Sequence, residues 1–324
     1  MKPDLGAKSA LPSEIGRRHS IRLQGSDGLR DLLGVLTSHD QITKKDGTVA
    51  TFDPATIVAW RAIDELTQLA GKGAPLSKRI AELEGLSSET WPAFEVMQRG
   101  GWCYRTSDGY NFRSNSVLLT GEPEYGDPFL DLDRELEFLI GYFQERSITP
   151  AIALTLPRFE LFDQQLDGKG WQVAIDAQMM VADKPSVTLA PESFADNRTV
   201  EVKIFDHPSR EFQEIRENSK ALDVMGGYPA SYICLFDSDG TGFAAGRIAT
   251  RSDWAIITAV YIAPSHRGQG WSKTLMKALL DQSSASKIAL QVDSANTIAL
   301  NLYRSLGFRR HHDYRFRTWG NRTT

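Results

Sequence analysis

A chain of 324 residues has room for two or three domains, and 41% hydrophobic with 24% charged residues is the balance of a globular protein that buries a core. The formal net charge of −4 argues against a dedicated nucleic-acid binder, which needs a basic face. The two cysteines, Cys103 and Cys234, exclude a disulfide framework and a Cys-rich zinc site. With no signal-like apolar start and no apolar run long enough to span a bilayer, they point to a cytoplasmic protein away from membranes.

The elements follow in order. Residues 1–15 are small and polar and read as frayed. Short strands are predicted over 18–23, 32–38, 41–44, 48–52 and 57–60, with a tight turn at Asp46-Gly47, and five such strands suggest a small closed β-barrel. Gly71 to Pro75 reads as a linker, and Ile80, Leu83 and Leu86 at helical spacing predict a helix that Trp91-Pro92 breaks. A second unit starts near Phe94. It has strands at 102–105 and 112–119, a helix from Leu132 to Arg146, a buried strand at 151–156, a helix at 161–166 and a strand from Trp171 to Met180. A third unit starts near Val200, with a strand at 200–204 and a helix at 210–218. Strands at 231–236, 243–250 and 254–262 follow, then a helix at 271–281, a strand at 288–292, a helix at 297–306 and a final strand at 308–319.

The ends of the second and third units repeat each other. Ile152-Ala153-Leu154-Thr155-Leu156 parallels Ile288-Ala289-Leu290-Gln291-Val292. The helix at 161–166 parallels Leu300 to Leu306, and Gly170-Trp171 parallels Gly307-Phe308. This is a duplicated α/β fold. The two copies differ ahead of the long helix. The third unit has Arg267-Gly268-Gln269-Gly270-Trp271-Ser272-Lys273 there. The second has an acidic, proline-containing segment, 120–128, which is the wrong lining for an anion. A strand ending in a glycine turn on a helix N-terminus is an anion site, because free N–H groups and the helix dipole converge there. On that stretch alone a plain strand–helix connection would look the same. The contrast between the copies assigns the ligand to the third unit.

The order of elements, the Arg267 to Ser272 loop, Asn296 and the string Leu302-Tyr303-Arg304-Ser305-Leu306-Gly307-Phe308 together resemble the GNAT acetyltransferase superfamily over residues 198–319. Arg267, Gly270 and Ser272 occupy that family's pyrophosphate-loop pattern, with Ser272 where Gly or Ala is usual. Upstream, Gly100 to Arg105 and Arg113 to Val117 behind a small barrel look like an actinobacterial group of tandem GNAT proteins, some labelled histone-acetyltransferase-like. The layout is also similar to that of mycothiol synthase. The resemblance implies an α/β (α+β) chain in three parts: a five-stranded barrel over 1–70, a degenerate GNAT-like unit over 71–190 and a catalytic GNAT domain over 191–324.

The resemblance further implies acetyl-CoA as co-substrate and transfer of its acetyl group to a primary amine by direct attack. N–H groups from Gly268, Gln269, Gly270, Trp271, Ser272 and Lys273, beside Arg267, would hold the pyrophosphate. The Lys273 ammonium either adds charge or is solvated. Backbone at Val260, Tyr261 and Ile262 would meet the pantetheine and polarise the thioester, and Asn296 would touch the cofactor arm. Tyr303 borders a stripe expected from Ile298, Leu302 and Leu306. A phenol with pKa near ~10 there would protonate the leaving thiolate as general acid. No base is evident at Ile256, Thr258 or Gln291. Asp293, a water chain, His311 or His312 are the alternatives, and the two histidines, adjacent on a strand, would face opposite ways. No metal site is readable from the histidine spacing. The acceptor is open between a small aminated metabolite and a protein lysine or N-terminus. A rival reading is an acetyl-CoA-binding regulator without turnover.

Overall fold

A computed structural model describes residue 15 and residues 18–26, 28–44, 47–62, 73–107, 109, 111–121, 131–184, 187, 200–216 and 222–320. The frayed start, Asp46, the linker residues Gly71 and Lys72, and most of the acidic segment at 120–128 lie outside the described residues.

Alternating apolar residues in the first sixty positions build β1 (Arg18–Gly25), β2 (Gly28–Ser38), β3 (Gln41–Thr43), β4 (Val49–Thr51) and β5 (Ile57–Ala62). They form one antiparallel sheet in the order β4-β3-β2-β1-β5. Ile21, Leu23, Leu32, Leu36, Ile42 and Phe52 make its core. The strands of the expected barrel are present. The edges of the sheet are β4 and β5, with no ladder between them among the described residues.

The remaining elements are α1 (Leu76–Thr90), β6 (Glu95–Arg99), β7 (Trp102–Thr106), β8 (Ser116–Leu119), α2 (Leu132–Gln144), β9 (Ala151–Leu156), α3 (Glu160–Asp167) and β10 (Trp171–Asp183). There follow β11 (Glu201–Phe205), α4 (Arg210–Ile215), α5 (Leu222–Gly226), β12 (Ser231–Phe236), β13 (Gly242–Arg251), β14 (Trp254–Ile262), α6 (Trp271–Asp281), β15 (Lys287–Asp293), α7 (Thr297–Ser305) and β16 (Arg309–Trp319). All these strands join one sheet of eleven, in the order β11-β12-β13-β14-β15-β10-β16-β9-β8-β7-β6. The duplication shows in that order. Parallel pairs β8–β9 and β14–β15 sit symmetrically about the antiparallel centre β10–β16. The last strand of each copy lies beside the other copy: β10 pairs with β15, and β16 pairs with β9.

Strand alternation gives the sheet two apolar faces. On one side Ala255, Ile257, Ile288, Leu290 and Met180 pack against Leu275, Met276 and Leu279 of α6. On the other side Trp254, Ile256, Ala289, Met179 and Val181 pack against Leu83 and Leu86 of α1. The Trp254 indole N–H donates to Glu82 Oε1 at 2.9 Å and fixes α1 there.

Three local expectations are corrected. The strand expected over 112–119 begins only at Ser116. Asn111 Oδ1 accepts from the Ser114 N–H, and Asn115 Oδ1 accepts from the N–H groups of Ser107 and Gly109. These side chains compete with the ladder and hold 111–115 as a turn. On α7 the buried positions are Leu300 and Tyr303, followed by Leu306, whereas Ile298 is 83% exposed. On β16 the register slips between Met179↔His312 and Met180↔Arg310, so His311 is the extra residue of a bulge. The bulge breaks the alternation and brings the rings of His311 and His312 together, Nδ1 to Nδ1 at 2.8 Å, instead of sending them to opposite faces. Strand β6 and helix α5 were not anticipated.

Candidate functional site

The site begins where two central strands part. β14 pairs in parallel with β15 from Trp254↔Lys287 only to Ile257↔Leu290. Beyond Ile257 the ladder stops while β14 stays with β13. At the same point β14 carries an extra residue: the pairing passes from Arg247↔Thr258 to Ala245↔Tyr261, and Ala259 has φ +58°. A bulge of this kind re-aims the backbone beyond it. The Ala263 N–H donates to Phe243 O at 2.7 Å, so residues 263 and 261 turn their backbone groups toward β13. By alternation, Val260 and Ile262 turn theirs toward the gap. Their side chains pack against the α6-side core, and Tyr261 packs on the other side beside Ala259 and Trp91.

Next comes the glycine loop. Gly268 and Gly270 have φ of +73° and +87°, and Gly270 caps α6 with no side chain bonded over the helix's first N–H groups. A Cβ on Gly268 would meet nothing within 4 Å, so the loop is open on that side. The flanking side chains shape the loop from behind. Arg267 Nε donates to Ile262 O at 2.9 Å, and Gln269 Nε2 donates to Ser265 O at 2.8 Å. The His266 ring stacks on Phe243 at 4.2 Å between centroids. The Trp271 side chain is buried in the core, which leaves its backbone at the loop, and the Lys273 N–H donates to Gly270 O at 3.0 Å. Ser272 is partly buried at the first turn of α6.

Across the gap stands α7. Asn296 Oδ1 accepts from the Ala299 N–H at 3.0 Å as the N-cap, a bond that does not use its amide N–H groups. Tyr303 is 6% exposed and lies 5.8 Å from Phe308 between ring centroids, and its phenol makes no hydrogen bond to a described residue. Burial pushes its phenol up to about 12, so it stays protonated at neutral pH.

On the α1 side a small crevice lies beside Gln291. Glu84, Ser87 and Ser88 of α1 line it with Arg105, Arg113, Met179, Gln291 and Tyr314. Gln291 is the first residue of β15 past the end of the β14–β15 ladder. Arg105 Nη2 donates to Ser116 Oγ at 2.8 Å, and Arg113 Nη2 donates to Gln291 Oε1 at 2.6 Å. Arg247, fully buried nearby, donates to Thr90 O, Tyr232 Oη and Thr258 Oγ1. None of these three arginines forms an ion pair with a described residue. Burial draws the Arg113 and Arg247 guanidinium groups below their ordinary value.

Glu84 Oε1 lies 3.2 Å from His312 Nε2, and both are buried. Of the base candidates, His312 therefore has a carboxylate partner at the crevice. Asp293 is exposed and accepts from the Ala295 N–H in a turn. Sequence reasoning passed over Glu84, although one signal was present: Ile80, Leu83, Glu84 and Ser87 share a helical face, so Glu84 sits on the apolar stripe. Arg113 and Arg247 had no local signal, because their neighbours are far away in the chain.

A family model described as "Probable histone acetyltransferase Rv0428c C-terminal" matches residues 77–317. This chain belongs to the GNAT N-acetyltransferase superfamily. It is similar to the uncharacterized N-acetyltransferase YobR of Bacillus subtilis (strain 168), 22% identical over 254 residues, covering 74% of this chain and 98% of that protein. Among solved structures it is similar to a GCN5-related N-acetyltransferase from Kribbella flavida, with TM-score 0.58 and 17% identity, covering 78% of this chain and 97% of that one. A tandem GNAT protein from the clavulanic acid biosynthesis pathway matches with TM-score 0.50 and 11% identity, covering 77% and 89%. These likenesses show the fold. In this GNAT chain, the gap, the loop and Tyr303 all fall in the second copy.

Proposed function

We propose that this acetyltransferase moves the acetyl group of acetyl-CoA to an amine within the β14–β15 gap. The observation that carries the reading is the parting of these strands after Ile257, next to an open helix N-terminus capped by left-handed Gly270. The residues fit the co-substrate. Open space beside Gly268 and the first N–H groups of α6 suit a pyrophosphate. Backbone N–H and C=O groups of Val260 and Ile262 suit the amides of the pantetheine, and an N–H there polarises the thioester carbonyl. Asn296 offers its amide N–H groups from the other wall.

The chain's own groups then have defined work. A neutral amine entering from the α1 side attacks the carbonyl carbon, a C–N bond forms and the C–S bond breaks. Tyr303, protonated in its buried setting, supplies the proton to the leaving sulfur. For an ammonium substrate the balance is one acetyl group on nitrogen, one proton on sulfur and one proton released. Glu84, paired with His312, stands at the crevice to take the proton that must leave before attack.

Calorimetry with acetyl-CoA and mass-spectrometric detection of acetylated products across an amine panel test this reading. Saturable acetyl-CoA binding and product formation are expected. Tyr303→Phe should lower kcat by about 100-fold with little change in KM for acetyl-CoA. Binding without transfer to any amine, and no effect of Tyr303→Phe, would leave a regulator and overturn the proposal.

A further inference from the structure

Resting on that reading, we propose that the crevice beneath the gap is the acceptor subsite and that its substrate is an amine carrying a carboxylate, held by Arg113. Position is the first argument. Gln291 is both a wall of the crevice and the first β15 residue beyond the ladder, so the crevice lies next to the gap on the α1 face. The face with α6 and α7 carries the co-substrate loop and Tyr303. An acceptor arriving through the crevice meets the thioester from the opposite side.

The second argument is unspent hydrogen-bonding capacity. Arg105 is engaged by Ser116 and Ser88, and Arg247 by Thr90, Tyr232, Tyr228 and Thr258. Arg113 makes a single hydrogen bond to a described residue, to Gln291. A guanidinium has five N–H donors in a rigid fork. Arg113 forms no ion pair with a described residue; Glu84 of the same crevice acts on it only through its field. The orientation of Arg113 is nonetheless held, by Gln291 Oε1 and by the Trp91 ring, whose centroid is 5.8 Å from Arg113 Cζ and 5.4 Å from Arg247 Cζ. A fixed fork with free donors fits a carboxylate in two-point contact.

The third argument selects the class. Of the two guanidinium groups lining the crevice, Arg105 already spends three of its N–H donors and Arg113 one, and with Glu84 on the same lining a single negative charge fits Arg113 better than a phosphate dianion. Glu84 lines the same crevice without pairing to Arg113, so the lining carries both signs and complements a molecule with an amine and a carboxylate.

The test uses the full-length chain with acetyl-CoA and matched acceptors: the proteinogenic amino acids, their carboxamides and the corresponding decarboxylated amines. The carboxylated members should be preferred by about 100-fold or more in kcat/KM. Arg113→Gln should cut kcat/KM for the preferred carboxylated acceptor by about 10- to 100-fold through KM. It should change the carboxamide by less than about threefold and leave acetyl-CoA affinity as it was. Arg113→Lys, which keeps the charge and loses the fork, should fall between. It also serves if the glutamine variant does not fold. Transfer to amines without preference for a carboxylate, or an equal loss on both acceptor types in Arg113→Gln, would overturn this proposal and leave the acetyltransferase reading standing. Failure of acetyl-CoA to bind the wild-type chain would overturn both.

Discussion

Gly268 separates charge from shape at the loop. Its φ of +73° is left-handed, a conformation that Asn and Asp tolerate better than other side chains, and a Cβ there meets nothing within 4 Å. Gly268→Asn and Gly268→Asp therefore carry similar strain and bulk and differ by one negative charge. If the loop holds a pyrophosphate, the Asp variant should bind acetyl-CoA at least about tenfold more weakly than the Asn variant, and the gap should narrow with added salt. Equal affinities in calorimetry would place the phosphates elsewhere. This stretch could be located from sequence because its parts are contiguous: the strand, the two glycines and the helix lie within residues 254–281. Glu84, Arg113 and Gln291 come from α1, a turn and β15, and nothing local in the sequence joins them. The carboxylate and imidazole candidates for a base that the sequence offers lie on strands near the loop, whereas Glu84 reaches the crevice from α1.

Bulges decide which way the two most informative strands point. On β14 the bulge at Ala259 frees Val260 and Ile262 toward the gap. On β16 the bulge at His311 brings two imidazoles together beside Glu84. Period-two reading does not reveal such insertions, which is why the histidines were expected on opposite faces. Helix and strand spans were otherwise legible: α6 covers the expected 271–281, and β12, β14 and β9 match their expected limits. The histidine bulge has a pH consequence. Burial, then His312, Arg79 and Arg309, lower the His311 pKa to about 4 from 6.5. Between those values the unfolded chain binds a proton that the folded chain refuses. The stabilisation from neutral His311 is therefore complete above about pH 6.5 and is lost as pH falls toward 4. His312, ring nitrogen to ring nitrogen with His311, and its partner Glu84 stand on the same side of that ring. The melting temperature should drop between about pH 7.5 and about pH 5, and His311→Gln should drop less over the same interval. An identical drop in the variant would assign the acid sensitivity to other groups.

At the scale of the whole molecule, the duplication was readable and the crossing of its ends was not. The repeat pairs Gly170-Trp171 with Gly307-Phe308, so β10 and β16 are equivalent by pattern, and either could close either half. The structure exchanges them: β10 lies between β15 and β16, and β16 lies between β10 and β9. Buried ion pairs fasten the exchange. Arg317 Nε on β16 meets Asp163 Oδ1 on α3 at 2.5 Å, and Arg315 Nη1 meets Asp163 Oδ2 at 2.6 Å. Each half therefore completes its sheet with a strand of the other. A chain cut near residue 190 and expressed as two separate pieces would leave the inner edge of β15 unpaired in one piece and that of β9 unpaired in the other. Unpaired inner edges with apolar faces aggregate or stay unfolded. Each piece alone should be insoluble or lack a cooperative melt, while the two co-expressed should assemble and recover acetyl-CoA binding. The intact 73–320 segment should melt in one transition seen alike by tryptophan fluorescence and far-ultraviolet circular dichroism. A lone piece from 191 onward that melts cooperatively and binds acetyl-CoA with the affinity of the whole chain would show that the exchange is dispensable. The first copy would then not be needed to shape the site, and Arg113, which reaches Gln291 from that copy, would lose its place in the mechanism.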